Sequence, residues 1–85
     1  MKIWVKLYKG EDIISGVMIE KPQPFDRAVF DASIKEAVDF FDLSTPVILS
    51  HHYIHFRDFN MVKFLPRDFV ESVDFDKMTA ENASD

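Results

Sequence analysis

The sequence predicts an α+β fold in which a small antiparallel sheet, built on an N-terminal β-hairpin, carries one or two helices on one face. Residues 2–9 (KIWVKLYK) and 12–20 (DIISGVMIE) alternate and are rich in β-branched and aromatic side chains, with Gly10 and Glu11 between them. Residues 33–42 show a helical apolar stripe, and residues 72–79 alternate again. These observations predict a hairpin, a covering helix and a third strand.

The loop sets the predicted pairing of the hairpin. If Gly10 and Glu11 form the loop, Lys9 faces Asp12, and the ladder continues to Ile3 opposite Met18. One face then carries Ile3, Val5, Leu7, Ile14 and Met18. The other face carries Trp4, Tyr8, Ile13 and Val17, with Lys6 and Ser15 among them. Because an isolated hairpin is marginal in water, at least one face must be covered. Gly16 inside a strand indicates a bulge or a close backbone approach.

The first helix is predicted over residues 33–42, after two prolines that end the second strand. Ser33 with Glu36 fits a capping box, and Asp31 is an alternative N-cap. The stripe consists of Ile34, Ala37, Val38 and Phe41. We expect this stripe to be buried against Val5 and Leu7, and Phe40 lies outside it.

The C-terminal half is less regular. Residues 47–49 form a short apolar run that suggests a brief strand. Residues 50–60 match neither the helical nor the strand spacing of apolar residues cleanly. A capping Ser50 and the spacing of Phe56 and Phe59 favour a short helix over a strand. Residues 64–69 are predicted to be a loop pinned by aromatic side chains, and residues 72–79 a last strand. A single domain is expected over residues 1–80, with a frayed polar tail at 81–85.

Composition excludes several classes of protein. The 85 residues contain no cysteine, so neither a disulfide framework nor a zinc–thiolate site is expected. A net charge of −5 with scattered basic residues argues against nucleic-acid binding. The start has no apolar signal region and no stretch is long enough to span a membrane, which predicts a soluble cytoplasmic protein. Gly10 and Gly16 are the only glycines, so no phosphate-binding loop or other cofactor motif is predicted.

The second half carries a resemblance. TPVIL, the following His51–His52 pair, Phe56 with Phe59, and FLPRDFVESVDFD together resemble a small family of uncharacterised bacterial proteins. The resemblance covers most of the chain after residue 30 and implies a compact single domain, but it transfers no activity, ligand or site residue. The opening strands also resemble those of Sm-like and SH3-like barrels, although the predicted central helix counts against that fold.

Two clusters of side chains are candidates for metal binding. On a helix, His51, His55 and Asp58 stand at i, i+4 and i+7, and two imidazoles with a carboxylate can hold Zn²⁺. The alternative is that these are ordinary boundary residues beside a Phe-rich core. A second, acidic cluster lacks the spacing and glycine of an EF-hand and is better explained as charges that protect a sheet edge. It consists of Asp68, Glu71, Asp74 and Asp76.

The second hairpin face is the candidate interface. If helices cover the face with Ile3 and Val5, the side chains of Trp4, Tyr8, Ile13 and Val17 point outward, and exposed apolar patches of this kind mark interaction sites. Alternatively, the second helix or the loop at 64–69 covers them. The sequence therefore predicts a small non-enzymatic protein that acts by forming a homodimer or binding a protein partner. The alternative is a divalent-metal-binding protein or metal-dependent enzyme; no catalytic residue is predicted.

Overall fold

A computed structural model describes residues 1–84 and shows a four-stranded antiparallel sheet with two helices, so the predicted α+β class is confirmed. The strands stand in the order β2-β1-β4-β3. The elements are β1 (Lys2–Lys9), β2 (Asp12–Glu20), α1 (Arg27–Phe40), α2 (Ser50–Phe59), β3 (Met61–Phe64), a 3₁₀ turn (Pro66–Asp68) and β4 (Lys77–Asn82). Neither helix in this part of the chain is long and apolar enough to cross a membrane.

The hairpin forms as predicted, but a bulge changes its pairing. Gly10 takes the left-handed conformation (φ +62°) in the loop, and Tyr8 faces Ile13 as expected. The ladder then shifts, so that Leu7 faces Ser15. A shift of one residue moves every later side chain to the opposite face. The predicted positions of Val17 and Met18 are therefore wrong: Val17 faces Val5, and Met18 faces Trp4.

The core lies between one face of the sheet and the two helices. Ile3, Val5 and Leu7 of β1 occupy its centre, and each is at most 7% exposed. Their neighbours from the other strands and from the helices complete a single apolar cluster. These are Ile19, Val62, Phe64, Met78 and Ala80 from the strands, Phe30, Ile34, Ala37, Val38 and Phe56 from the helices, and Phe69 and Phe75 from the connection before β4.

Helix α1 begins six residues earlier than predicted. Its N-cap is Asp26, whose side chain accepts a hydrogen bond from the Val29 N–H at 2.9 Å. Ser33 lies inside the helix and donates its hydroxyl to the Val29 carbonyl at 2.7 Å, so neither Ser33 nor Asp31 is the cap. The predicted stripe is buried at Ile34, Ala37 and Val38, whereas Phe41 is the C-cap and is only half-buried.

The preference for a helix over residues 50–60 is confirmed, although its N-cap is Leu49 and not Ser50. Residues 47–49 form no strand, so that prediction is wrong. Phe64, the first residue of the predicted loop at 64–69, belongs to β3, and the rest of the loop contains the 3₁₀ turn.

The last strand begins at Lys77 rather than at Ser72. Phe75 stacks edge-on against Phe69 at 5.3 Å between ring centroids, so the alternation before β4 anchors a connection instead of forming a strand. The predicted tail begins within the sheet, since Glu81 and Asn82 belong to β4. Asp85 lies outside the described residues.

Candidate functional site

The sheet face opposite the helices is here called the open face. Directly paired residues on neighbouring strands point to the same side of the sheet. A row here means a line of such partners that runs across the strands. One row contains Met18, Trp4, Glu81 and Met61, the next contains Gly16, Lys6, Thr79 and Lys63, and the third contains Ile13, Tyr8 and Lys77. Trp4, Met61, Met18 and Ile13 are 39%, 40%, 50% and 50% exposed. The open face therefore presents four large apolar side chains to solvent.

Trp4 is held in place by its neighbours. The Lys6 ammonium lies 4.1 Å from the centroid of the indole and 3.5 Å from a carboxylate oxygen of Glu81. A Cβ at Gly16 would stand 3.1 Å from the Trp4 Nε1, so glycine lets the indole approach the β2 backbone. This is the close approach that the sequence predicted at Gly16. A large aromatic side chain fixed in this way loses little conformational freedom when a partner covers it.

Three of the four predicted interface residues lie on the open face. Trp4, Tyr8 and Ile13 are there, and the Tyr8 ring also has the Lys77 ammonium 4.7 Å from its centroid. Val17 lies on the opposite face and packs against the core. Sequence reasoning missed Met18 because of the bulge, and it missed Met61 because β3 was not predicted.

The three predicted metal ligands are engaged in other contacts. His51 packs against the ring of His52, with centroids 4.2 Å apart, and His55 Nδ1 bonds the Met61 carbonyl at 2.7 Å. Asp58 accepts a hydrogen bond from Arg57 Nε at 2.9 Å, which raises the pKa of Arg57. Within residues 1–84, no group of three or more His, Asp and Glu side chains is arranged to hold a metal ion. Metal binding by His51, His55 and Asp58 stays a prediction.

Three members of the predicted acidic cluster, Asp68, Asp74 and Asp76, each bond the backbone or a lysine at a different place. Asp68 accepts from the Leu65 N–H at 2.8 Å, and Asp76 accepts from the Gly10 N–H. Asp74 lies 3.4 Å from the Lys9 ammonium. These contacts hold the turn before β4 and tie that connection to the hairpin loop.

His52, the histidine that sequence reasoning left aside, is buried and links two segments. Its Nδ1 accepts a hydrogen bond from the Leu49 N–H at 2.9 Å, and its ring stacks on Phe64 with centroids 4.4 Å apart. The Nε2 lies 3.7 Å from Asp68 Oδ2. Burial, reinforced by His51, lowers the pKa of His52, and Asp68 opposes this only partly. Since Nδ1 accepts, the neutral ring carries its proton on Nε2 and directs it toward Asp68.

A cleft of about 550 Å³, here called the α2 cleft, opens between the start of α2, strand β3 and the 3₁₀ turn. Its lining combines apolar and ionisable residues: Leu49, His51, His52, His55, Met61, Val62, Lys63, Leu65, Arg67 and Asp68. Two of the three predicted metal ligands thus lie in the cleft, whereas Asp58 is not in its lining. Because β3 is an edge strand, the cleft reaches the rim of the open face at Met61 and Lys63.

Comparison of the chain with known proteins finds no matching family model, no matching curated protein and no matching solved structure.

Proposed function

We propose that this chain is a small, cytoplasmic, non-enzymatic protein that works by self-association, with the open face as the contact between two copies. The observation that carries the proposal is the row of Met18, Trp4, Glu81 and Met61, which crosses all four strands. Its three apolar side chains are 39–50% exposed. Exposed apolar patches rimmed by polar groups mark interaction surfaces, and tryptophan is prominent among residues that dominate binding energy.

The open face carries both signs of charge, so a second copy can pair with it through opposite charges. Lys6, Lys63 and Lys77 lie there with Glu81, and the three lysines outnumber the one carboxylate. In a two-fold dimer, each patch meets itself in the reverse direction, and a lysine of one copy can lie near a glutamate of the other. Two twisted sheets pack face to face with their strands at about −30°, which would bring the two apolar rows together.

The size of the face predicts a modest affinity. Four strands at about 4.8 Å spacing and six paired residues of β1 at about 3.3 Å rise give a footprint on the order of 400 Å² per copy. Standard interfaces bury about 800 Å² of accessible surface on each partner, so this contact belongs to the small class. The dimer should therefore dissociate on dilution, and its measurement requires a wide range of concentration.

Sedimentation equilibrium of the wild-type chain and of Trp4→Glu tests the proposal. We expect a concentration-dependent dimer for the wild type and a monomer for the variant, because an unpaired carboxylate is costly to bury between two sheets. Val70→Glu is the matched control, since Val70 is 80% exposed and lies outside the open face, and it should dimerise like the wild type. Met18→Glu provides a second variant in case Trp4→Glu fails to fold, with circular dichroism as the check on folding.

A wild-type chain that stays monomeric at roughly 1 mM, a concentration that detects even millimolar dissociation constants, would refute self-association. A Val70→Glu variant that dissociates as readily as Trp4→Glu would show that added negative charge, and not the open face, governs assembly.

A further inference from the structure

The α2 cleft has the size and the mixed lining of a site for a small molecule. Ligand pockets typically enclose about 300–1,000 Å³ and combine apolar walls with a few polar groups that orient the ligand. Here Leu49, Val62 and Leu65 are apolar, and the polar groups come from three histidines, two cations and one carboxylate. The cleft volume of about 550 Å³ lies in the middle of that range.

The charge of the cleft is opposite to that of the protein. Of the ten basic residues, six form ion pairs with carboxylates, which lie 4.0 Å away or less. Lys63 and Arg67, which both line the cleft, have no carboxylate within that distance among residues 1–84. The cleft therefore holds two unpaired cations in a chain whose net charge is −5.

Among the described residues, one carboxylate lines the cleft. Asp68 accepts from the Leu65 N–H at 2.8 Å and faces the Nε2 of His52 at 3.7 Å. Its single negative charge is thus held at the wall of the cleft and is smaller than the two positive charges of Lys63 and Arg67. The first turn of α2 also borders the cleft through Leu49 and His51, and the positive end of the helix dipole adds to the attraction for an anion.

The histidines add polar contacts without adding negative charge. His55 uses Nδ1 on the Met61 carbonyl, so Nδ1 carries the proton in the neutral ring and Nε2 is left to accept a hydrogen bond. The cleft therefore offers cationic groups, an imidazole nitrogen and an apolar wall within one volume.

We propose that the α2 cleft binds a small organic anion, with its oxyanion head at Arg67 and Lys63 and its apolar body against Leu49, Val62 and Leu65. The planar guanidinium of Arg67 can donate two parallel hydrogen bonds to a carboxylate or a phosphate, which share this oxyanion chemistry. The site borders the open face at Met61 and Lys63. Arg67 and Leu65 lie beyond β3 in the chain and outside that face, so Arg67→Gln tests the cleft without altering the self-association surface.

The test is an amide ¹H–¹⁵N NMR titration of the full chain with four probes that differ in head group and in apolar body. These are 4-phenylbutyrate, phenyl phosphate, inorganic phosphate and the neutral 4-phenylbutan-1-ol. We expect saturable shifts at the amides of residues 49–52, 62–65, 67 and 68 with 4-phenylbutyrate or phenyl phosphate. The tighter of these two is the probe for the variants. The alcohol, which shares the carbon skeleton of 4-phenylbutyrate, should bind at least tenfold more weakly than that acid.

Arg67→Gln should weaken the binding of the better probe by at least tenfold, and Lys63→Gln is the second variant. Lys2→Gln is the matched control, because Lys2 is an exposed lysine outside the cleft and forms no ion pair in the described part of the chain. Equal weakening by Lys2→Gln and Arg67→Gln would overturn the proposal, as would the absence of saturable shifts for every probe. Inorganic phosphate that binds as tightly as phenyl phosphate would overturn the role of the apolar wall.

Discussion

The removal of His52 is expected to destabilise the fold more than any change to the other two histidines. In His52→Ala, the part-buried Leu49 N–H loses its acceptor, and the loss of such a hydrogen bond costs about 0.5–1.5 kcal/mol. The deletion also empties a ring-sized space next to Phe64, and large-to-Ala core substitutions cost about 2–5 kcal/mol. Because the two effects overlap, we expect a total loss of about 3–5 kcal/mol in the free energy of unfolding.

That loss is large for a chain of this size. At about 0.05–0.15 kcal/mol per residue, 85 residues have a total stability of about 4–13 kcal/mol. Urea unfolding at pH 7.5, followed by far-ultraviolet circular dichroism, measures the change. His52→Asn is the companion variant, since its amide oxygen can take the place of Nδ1 and accept from Leu49, and it should lose clearly less stability than His52→Ala. The smaller loss also keeps the test available if His52→Ala does not fold.

The same histidine predicts a pH dependence. Its pKa is lowered from the ordinary value of 6.5 in the folded chain, mainly by burial, with His51 and Arg27 acting in the same direction and Asp68 against them. The unfolded chain therefore takes up a proton first as the pH falls. The stabilisation is complete above about pH 6.5 and decreases toward the folded pKa, and His52→Asn should reduce this slope between pH 7.5 and 5.5.

Two results would refute this reasoning about His52. A His52→Ala variant within about 1 kcal/mol of the wild type would show that the Leu49 cap and the Phe64 stack contribute little, since ordinary surface substitutions fall within about 0.5 kcal/mol. If the free energy of unfolding changed with pH in His52→Asn as it does in the wild type, the pH dependence of stability would come from groups other than His52.

Further expectations concern stability and metal binding. Phe30→Ala should lower the free energy of unfolding, measured with urea, by about 3–5 kcal/mol because Phe30 is fully buried. Phe41→Ala should lower it less, because Phe41 is only half-buried. Asp26→Ala should cost about 1 kcal/mol through loss of the α1 cap, and Asp26→Asn should retain most of that stability. Thr79→Val should be neutral or stabilising in the same assay, since the Thr79 hydroxyl is buried without a hydrogen-bond partner among the described residues. Zn²⁺ at tens of micromolar should leave the melting temperature unchanged, whereas a rise that His51→Ala abolishes would establish the metal site.

The sequence by itself determined the elements whose signals are local. The hairpin follows from two alternating runs around Gly10, and α1 follows from the spacing of Ile34, Ala37 and Val38, because strand and helix periods differ clearly over such lengths. The predicted start of α1 was wrong because several residues before the stripe are able to cap a helix. Only the structure shows that Asp26 is the N-cap. Strand β3 was not predicted, because four residues are too few to display a period.

Each candidate site also has features that the sequence predicts and features that depend on tertiary structure. Trp4 and Tyr8 belong to the open face by simple alternation within β1, which the sequence shows. Beyond the bulge, alternation no longer tells which side a β2 residue takes, so Met18 and not Val17 joins them, and a bulge is decided by pairing with the neighbouring strand. The α2 cleft depends wholly on tertiary structure. Leu49 and Arg67 line one cleft because α2, β3 and the 3₁₀ turn come together there, and no spacing along the chain encodes that arrangement.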